Sequence, residues 1–351
     1  MSGRDLEALA DGLGEFLGQR WGRAVRAESL VPTSTGARRE NVLFDAVDAS
    51  HPAGARRVPL VVTIYPPAGT VLFGVEAETD TLRLAERAGA PVAHVHEVCT
   101  DSSWFGEPFF ISSRVEGETL PKRVLRTIEA AGPDQGERVA AQLGRAFAAI
   151  HRVDATEAPA AIRQPLDVDP ASHALATLAE QIDELAQPAP GFELGLRWLR
   201  HHLPSPAPRR TLVHGDVRTG NIVVDAGGLA AVLDWEGAHT GDPHRDLAWC
   251  CVRTWRFDQD HLEVGGFGSL DSLTAAYVEA GGHFDPASFH WWKVAGTLRW
   301  GIGLSRQAAQ HLAGVHRSIV MAASGRRAVE CEHDLLRLLA PKVATGGGRA
   351  G

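Results

Sequence analysis

Lysine is nearly missing from this chain of 351 residues: Lys122, Lys293 and Lys342 are the only ones, so almost all 35 basic side chains are arginines. No side-chain ammonium group can come from anywhere before residue 122. Cysteine is scarce as well. Cys99, Cys250, Cys251 and Cys331 form no CxxC pair and show no ligand spacing, which argues against a disulfide framework or a zinc site. There is no basic excess, since 35 basic residues face 43 acidic ones for a net charge of -8, and this speaks against a nucleic-acid partner. No apolar run approaches the roughly 18 residues of a membrane span, and Asp5, Glu7, Asp11 and Glu15 interrupt the leucines at the start. These absences suggest a soluble cytoplasmic protein with no membrane partner.

What is present changes character along the chain. Leu6, Leu9, Leu13, Phe16, Leu17 and Trp21 share a helical face, although Gly12, Gly14 and Gly18 weaken it. ENVLFDAV and VPLVVTIYPP then read as an antiparallel strand pair, VEAETDTLRLAERAGA as a helix ending near Gly89, and PFFISSRVEGET as a strand entering a turn. A strand-rich unit therefore closes near residue 115. From residue 120 the pattern is mainly helical, with Val139, Leu143, Phe147, Ile150 and Val153 spaced as a buried face. Asp242 and Pro243 suit the start of a helix running through Trp255, and further helices are expected over 269–281, 286–312 and 315–340. The expected units are 1–115, 116–343 and a disordered tail at 344–351.

Within the helical part lies LVHGDVRTGNIVVDAGGLAAVLDWE, residues 212–236. A DAGG turn would join NIVVD and AAVLDW into a hairpin and bring Asp216, Asn221 and Asp234 to one edge. Two carboxylates and an amide oxygen suit magnesium when phosphate oxygens complete its shell. Taken singly, each residue is better read as a turn or cap residue; taken together, they indicate a site.

HGDVRTGN followed by LDWE resembles the catalytic signature of the aminoglycoside phosphotransferase-like family, relatives of protein kinases. GEPFFISSRVEGET, FAAIHRVD and GDPHRDLAWCCVRTWRF resemble the family's linker, its helix before the catalytic loop and its segment after the metal-binding aspartate. EVGGFGS and the later helices are similar to the branch that includes the kinase-like module of some acyl-CoA dehydrogenases. The resemblance covers roughly residues 28–340. It implies a two-lobed α+β protein-kinase-like fold, with an antiparallel-sheet N-lobe, a hinge near 112–117 and a helical C-lobe. It also implies ATP- or GTP-dependent phosphorylation of a small-molecule alcohol with Mg2+. In these terms Asp216 is the base, Asn221 and Asp234 hold metal, and His214 orients the loop. Asp246 has two open roles: bonding the catalytic-loop backbone, or sitting exposed in a first helical turn. Acceptors implied by the resemblance are antibiotics, amino alcohols, sugars or hydroxyacyl thioesters, with the last helices favouring an acyl or lipid-derived hydroxyl.

The resemblance further implies that Thr35, Gly36 and Arg38 cover the phosphates, and that main-chain groups of Ser113 and Val115 meet the adenine. Glu78 would pair with a basic residue on the third strand, but that place is held by Thr63, and no basic residue occurs from Val58 to Val71. Three outcomes are open. Arg38 or Arg39 supplies the cation; the metals suffice at a reduced rate; or the chain is a pseudokinase-like scaffold or sensor that binds nucleotide without transfer. His94 and His96 read as exposed or capping, and Trp249, Trp255, Trp291, Trp292 and Trp300 as core or pocket wall. Asp258, Glu263 and Asp271 suit either a cationic acceptor or ordinary surface.

Overall fold

The computed structural model describes residues 4–33, 39–48, 56–66, 71–315 and 317–340. Thr35, Gly36, Arg38 and the expected tail lie outside them. The chain opens with helix α1 (Leu6–Trp21), whose first amides, Glu7 and Ala8, donate to the side chain of Asp5. Five strands follow: β1 (Val25–Pro32), β2 (Glu40–Asp48), β3 (Arg56–Ile64), β4 (Val95–Cys99) and β5 (Phe109–Ser113). They form one antiparallel sheet in the order β1-β2-β3-β5-β4.

Strand alternation assigns the two faces of this sheet. Phe44, Leu60, Val62 and Ile64 pack with Leu9, Leu13 and Phe16 of α1 in a core of their own. On the opposite face, Tyr65 and Phe110 join the main core with Val75 and Leu82 of helix α2 (Val75–Arg87). Thr63 therefore looks toward the α2 side, and it pairs across the ladder with Asn41.

Past β5 the chain crosses to the helical lobe through Gly117, at φ 139°, where a Cβ would stand 2.8 Å from the carbonyl oxygen of Val224. Such a close approach in a positive-φ conformation requires glycine. Helices α3 (Pro121–Ala130), α4 (Gln135–Ile150), α5 (Pro170–Asp183), α6 (Pro190–His201), α8 (Leu270–Glu279), α9 (Pro286–Leu312) and α10 (Ile319–Leu339) enclose the main core. Val139, Leu143, Phe147 and Ile150 form the buried face of α4.

The expected hairpin is present as β7 (Ile222–Asp225) and β8 (Gly228–Val232). Its outer edges are tied to the upper part of the molecule. Glu118 exchanges both backbone hydrogen bonds with Val224 (2.8 and 3.0 Å), and Val232 N–H donates to Pro91 O (2.8 Å). TLV, β6 (Thr211–Val213), pairs instead with β9 (His239–Gly241). The helix expected from Asp242 through Trp255 is much shorter: α7 runs only His244–Trp249. The carbonyl of Cys250 takes the N–H of Gly265, and Val252 is extended, so the helical ladder cannot continue. All four cysteines are buried and free.

Candidate active site

The loop between β6 and β7 is built around one buried carboxylate. Asp246, on α7, accepts hydrogen bonds from His214 N–H (2.8 Å), Gly215 N–H (2.7 Å) and His151 Nε2 (3.2 Å). Burial pushes its carboxyl up, but the hydrogen bonds and the neighbouring His151 outweigh burial and hold it down at about 2. Of the two roles open to Asp246, the structure has the backbone bonding. His214 is fully buried; its Nε2 donates to Leu233 O (3.1 Å) and its Nδ1 accepts from Asp216 N–H (3.2 Å). Both ring nitrogens are thus spent on backbone. Gly215 is at φ 80°, and a Cβ there would stand 2.5 Å from Gly237 O, so the loop can lie against the Asp234–Gly237 turn only as glycine.

Asp216 is held at both oxygens. Trp249 Nε1 donates to Oδ1 (2.9 Å) and Asn221 Nδ2 to Oδ2 (2.8 Å), while Arg218 Nε stands 3.6 Å from Oδ2. Asn221 Nδ2 also reaches Asp216 O (2.9 Å), so the oxygen of this amide is the atom it can present to a cation. Leu233 N–H donates to Asn221 O (2.8 Å), which sets Asp234 beside Asn221 across the hairpin. Asp234 itself is left-handed, with φ 65° and ψ 68°. One hard carboxylate and one hard amide oxygen form a donor set that fits magnesium, whose remaining shell comes from water and phosphate. Asp216 and Asn221 are thus in direct contact, and Asp234 follows the residue that bonds Asn221 across the hairpin. Trp249, expected as core or pocket wall, also serves as a hydrogen-bond donor to Asp216.

The cation missing from β3 is found just ahead of the neighbouring strand. Arg39, just before β2, donates from Nη1 to both oxygens of Glu78 and from Nη2 to Asp234, with Glu236 at 3.7 Å. Tyr65 OH donates to Glu78 as well. Burial pulls the Arg39 guanidinium down, but Glu78 and Asp234 together raise it above its ordinary value. Thr63 donates to Asn41 Oδ1 (2.7 Å). Arg39 lies in the bend that precedes β2, two residues before Asn41, and Asn41 is the residue that pairs with Thr63 across the ladder. Of the three outcomes left open by the sequence, the structure places an arginine, Arg39, between Glu78 and Asp234.

Other expected contacts resolve differently. Ser113 N–H is committed to His94 O (2.9 Å) and its Oγ to His96 Nε2 (2.8 Å), so that amide is taken up by strand pairing. Val115 follows in the crossing segment. His94 is exposed beside Glu86 (2.8 Å). Glu263 accepts from Lys293 and is therefore engaged in the lower lobe itself. No three His, Cys, Asp or Glu side chains gather at metal-binding spacing among the described residues. No described helix is long and apolar enough to cross a membrane.

Comparison with known proteins bears on the family and the fold. The profile described as "Phosphotransferase enzyme family" matches residues 34–292. Acyl-CoA dehydrogenase family member 10 of Mus musculus is 32% identical over 193 residues, which is 53% of this chain and 18% of that protein. The chain thus spans less than a fifth of that relative's length. A crystal structure from Ralstonia eutropha JMP134, provisionally named an aminoglycoside phosphotransferase, superposes with a TM-score of 0.72 at 22% identity, covering 95% of this chain and 98% of the other. A thermostable aminoglycoside phosphotransferase APH(4)-Ia, solved as a ternary complex with AMP-PNP and hygromycin B, gives a TM-score of 0.57 at 16% identity, covering 94% and 99%. These likenesses identify the protein-kinase-like fold.

Proposed function

Because the chain belongs to the phosphotransferase enzyme family, we propose that it transfers the terminal phosphoryl group of ATP or GTP to the hydroxyl of a small-molecule acceptor. In this reading Asp216 accepts the hydroxyl proton as that oxygen bonds to the terminal phosphorus. The bond from phosphorus to the bridging oxygen breaks, and the nucleoside diphosphate leaves. Asn221 and Asp234 would hold magnesium, which supplies charge neutralisation to the phosphates when bound. Trp249 and Asn221 fix the direction of the carboxylate, and His214 and Asp246 fix the loop that carries it. Arg39 supplies the positive charge that the third strand lacks.

The observation that carries this reading is the bridge from Arg39 to Glu78 and Asp234. It favours transfer over a nucleotide-binding scaffold, because a cation stands beside the metal-binding carboxylate even though Thr63 is neutral. The test is magnesium-dependent turnover of nucleotide with and without hydroxylated acceptors. Native protein should turn over, and Asp216→Ala should lose at least about a hundredfold. Turnover that Asp216→Ala leaves unchanged refutes the base assignment. Native protein that is inactive but becomes active as Thr63→Lys marks the scaffold reading as the correct one.

A further inference from the structure

A cavity of about 250 Å³ lies behind the catalytic loop, between α5, α7 and α9. Arg245, Arg299, Trp249, Trp292, Gln164 and Gln181 contribute to its wall, and no acidic side chain does. Trp249 connects it directly to the chemistry, since the same indole donates to Asp216 Oδ1. The volume sits at the small end of ligand pockets, enough for a compact molecule.

The two arginines are what the fold leaves unexplained. Arg299 stacks over the Trp249 ring at 4.0 Å and donates from Nη2 to Gly215 O (3.0 Å). Arg245 lies 5.8 Å from the Trp292 ring. Among the described residues neither forms an ion pair with a carboxylate. The nearby acids are already taken: Asp246 by His151 and two backbone amides, Asp216 by Trp249 and Asn221. Burial, and next the charge of Arg299, pull the Arg245 guanidinium down to about 9, and burial lowers Arg299 too. His239, within the same field, is held to about 3 by burial and then by Arg245, and its Nε2 has no hydrogen-bond partner. Asp246 offsets part of this for both arginines and Asp216 for Arg299, yet two half-buried like charges facing a cavity with no acid in its wall still favour an anion there.

We propose that Arg245 and Arg299 bind the carboxylate of the acceptor, so that the substrate is a small hydroxycarboxylate whose hydroxyl reaches Asp216 past Trp249. The proposal rests on the phosphotransferase reading for the hydroxyl, but the carboxylate site stands on the cavity alone. A planar guanidinium fork matches a carboxylate, and each arginine is already oriented by an indole face. The same two charges repel a polycationic aminoglycoside.

The test uses native protein and short hydroxycarboxylates, from hydroxypropanoate to hydroxyhexanoate, each paired with its neutral primary amide. Binding is followed by calorimetry and by fluorescence of the pocket tryptophans, and phosphorylation is followed separately with magnesium nucleotide. At least one carboxylate should bind about ten-fold or more tightly than its amide. Arg245→Gln should abolish that preference and Arg245→Lys should restore part of it. Amides binding as well as every carboxylate in the native protein overturns the proposal, as does a preference that survives in both Arg245→Gln and Arg299→Gln. Selective carboxylate binding without phosphorylation sinks the transfer reading and leaves the anion site standing. Phosphorylation of neutral or cationic alcohols without selective carboxylate binding does the reverse.

Discussion

Replacing Arg39 by methionine keeps most of the side-chain bulk and removes the charge. The side chains of Arg39 and Glu78 are 8% and 5% exposed, so this ion pair is buried, and deleting one partner of such a pair costs about 3–5 kcal/mol. Tyr65 OH still donates to Glu78, which places the loss near the lower end, at about 3 kcal/mol. Asp234 is 35% exposed and adds little, because solvent takes over its pairing. Urea unfolding followed by tryptophan fluorescence should register the loss, and Arg39→Lys should lie between, since one amino group cannot fork across two carboxylates. Magnesium-nucleotide turnover of Arg39→Met should fall about a hundredfold or more, on the scale of removing a charge-stabilising group. Adding Thr63→Lys to Arg39→Met should recover part of it, because Thr63 pairs with Asn41, two residues from Arg39. A stability loss under about 1 kcal/mol refutes the buried-pair reasoning. Native turnover in Arg39→Met refutes the role of the cation.

Three other outcomes follow from the geometry. The carboxyl of Asp246 sits at about 2 in the folded protein against an ordinary 3.8, so its stabilisation is present above about pH 4 and disappears as pH falls toward 2. Relative to the native protein, Asp246→Asn should flatten that acid limb by about 2 kcal/mol, measured as unfolding free energy against pH. Trp249→Phe removes the donor to Asp216 Oδ1 and should lower kcat about ten-fold with little change in KM for nucleotide. Gly117→Ala forces a Cβ to 2.8 Å from Val224 O at φ 139°, and should cost about 2 kcal/mol in urea unfolding; no change would refute the close approach of the crossing to β7.

The catalytic loop, the hairpin and the α4 face were legible because each depends on neighbours close in sequence. His214, Asp216 and Asn221 share one loop, and the DAGG turn dictates where Asp234 arrives. The replacement cation was visible only as one of several possibilities, since Arg39 meets a partner 39 residues away in Glu78 and another 195 away in Asp234. Helix α7 was overestimated because periodicity cannot reveal that Gly265 claims the carbonyl of Cys250. Arg245 and Arg299 gave no signal at all. Among the abundant arginines they look like surface charges, and only the packing of α7 on α9 makes them face one cavity.

The ties from Glu118 and Pro91 to the β7–β8 hairpin have a mechanical consequence. The strand pair that bears Asn221 and Asp234 is held on one edge by Glu118 of the crossing segment and on the other by Pro91, just before β4, so both halves of the chain share it. Rocking of the five-stranded sheet would carry Pro91 with it and so shift the hairpin end that presents those two oxygens.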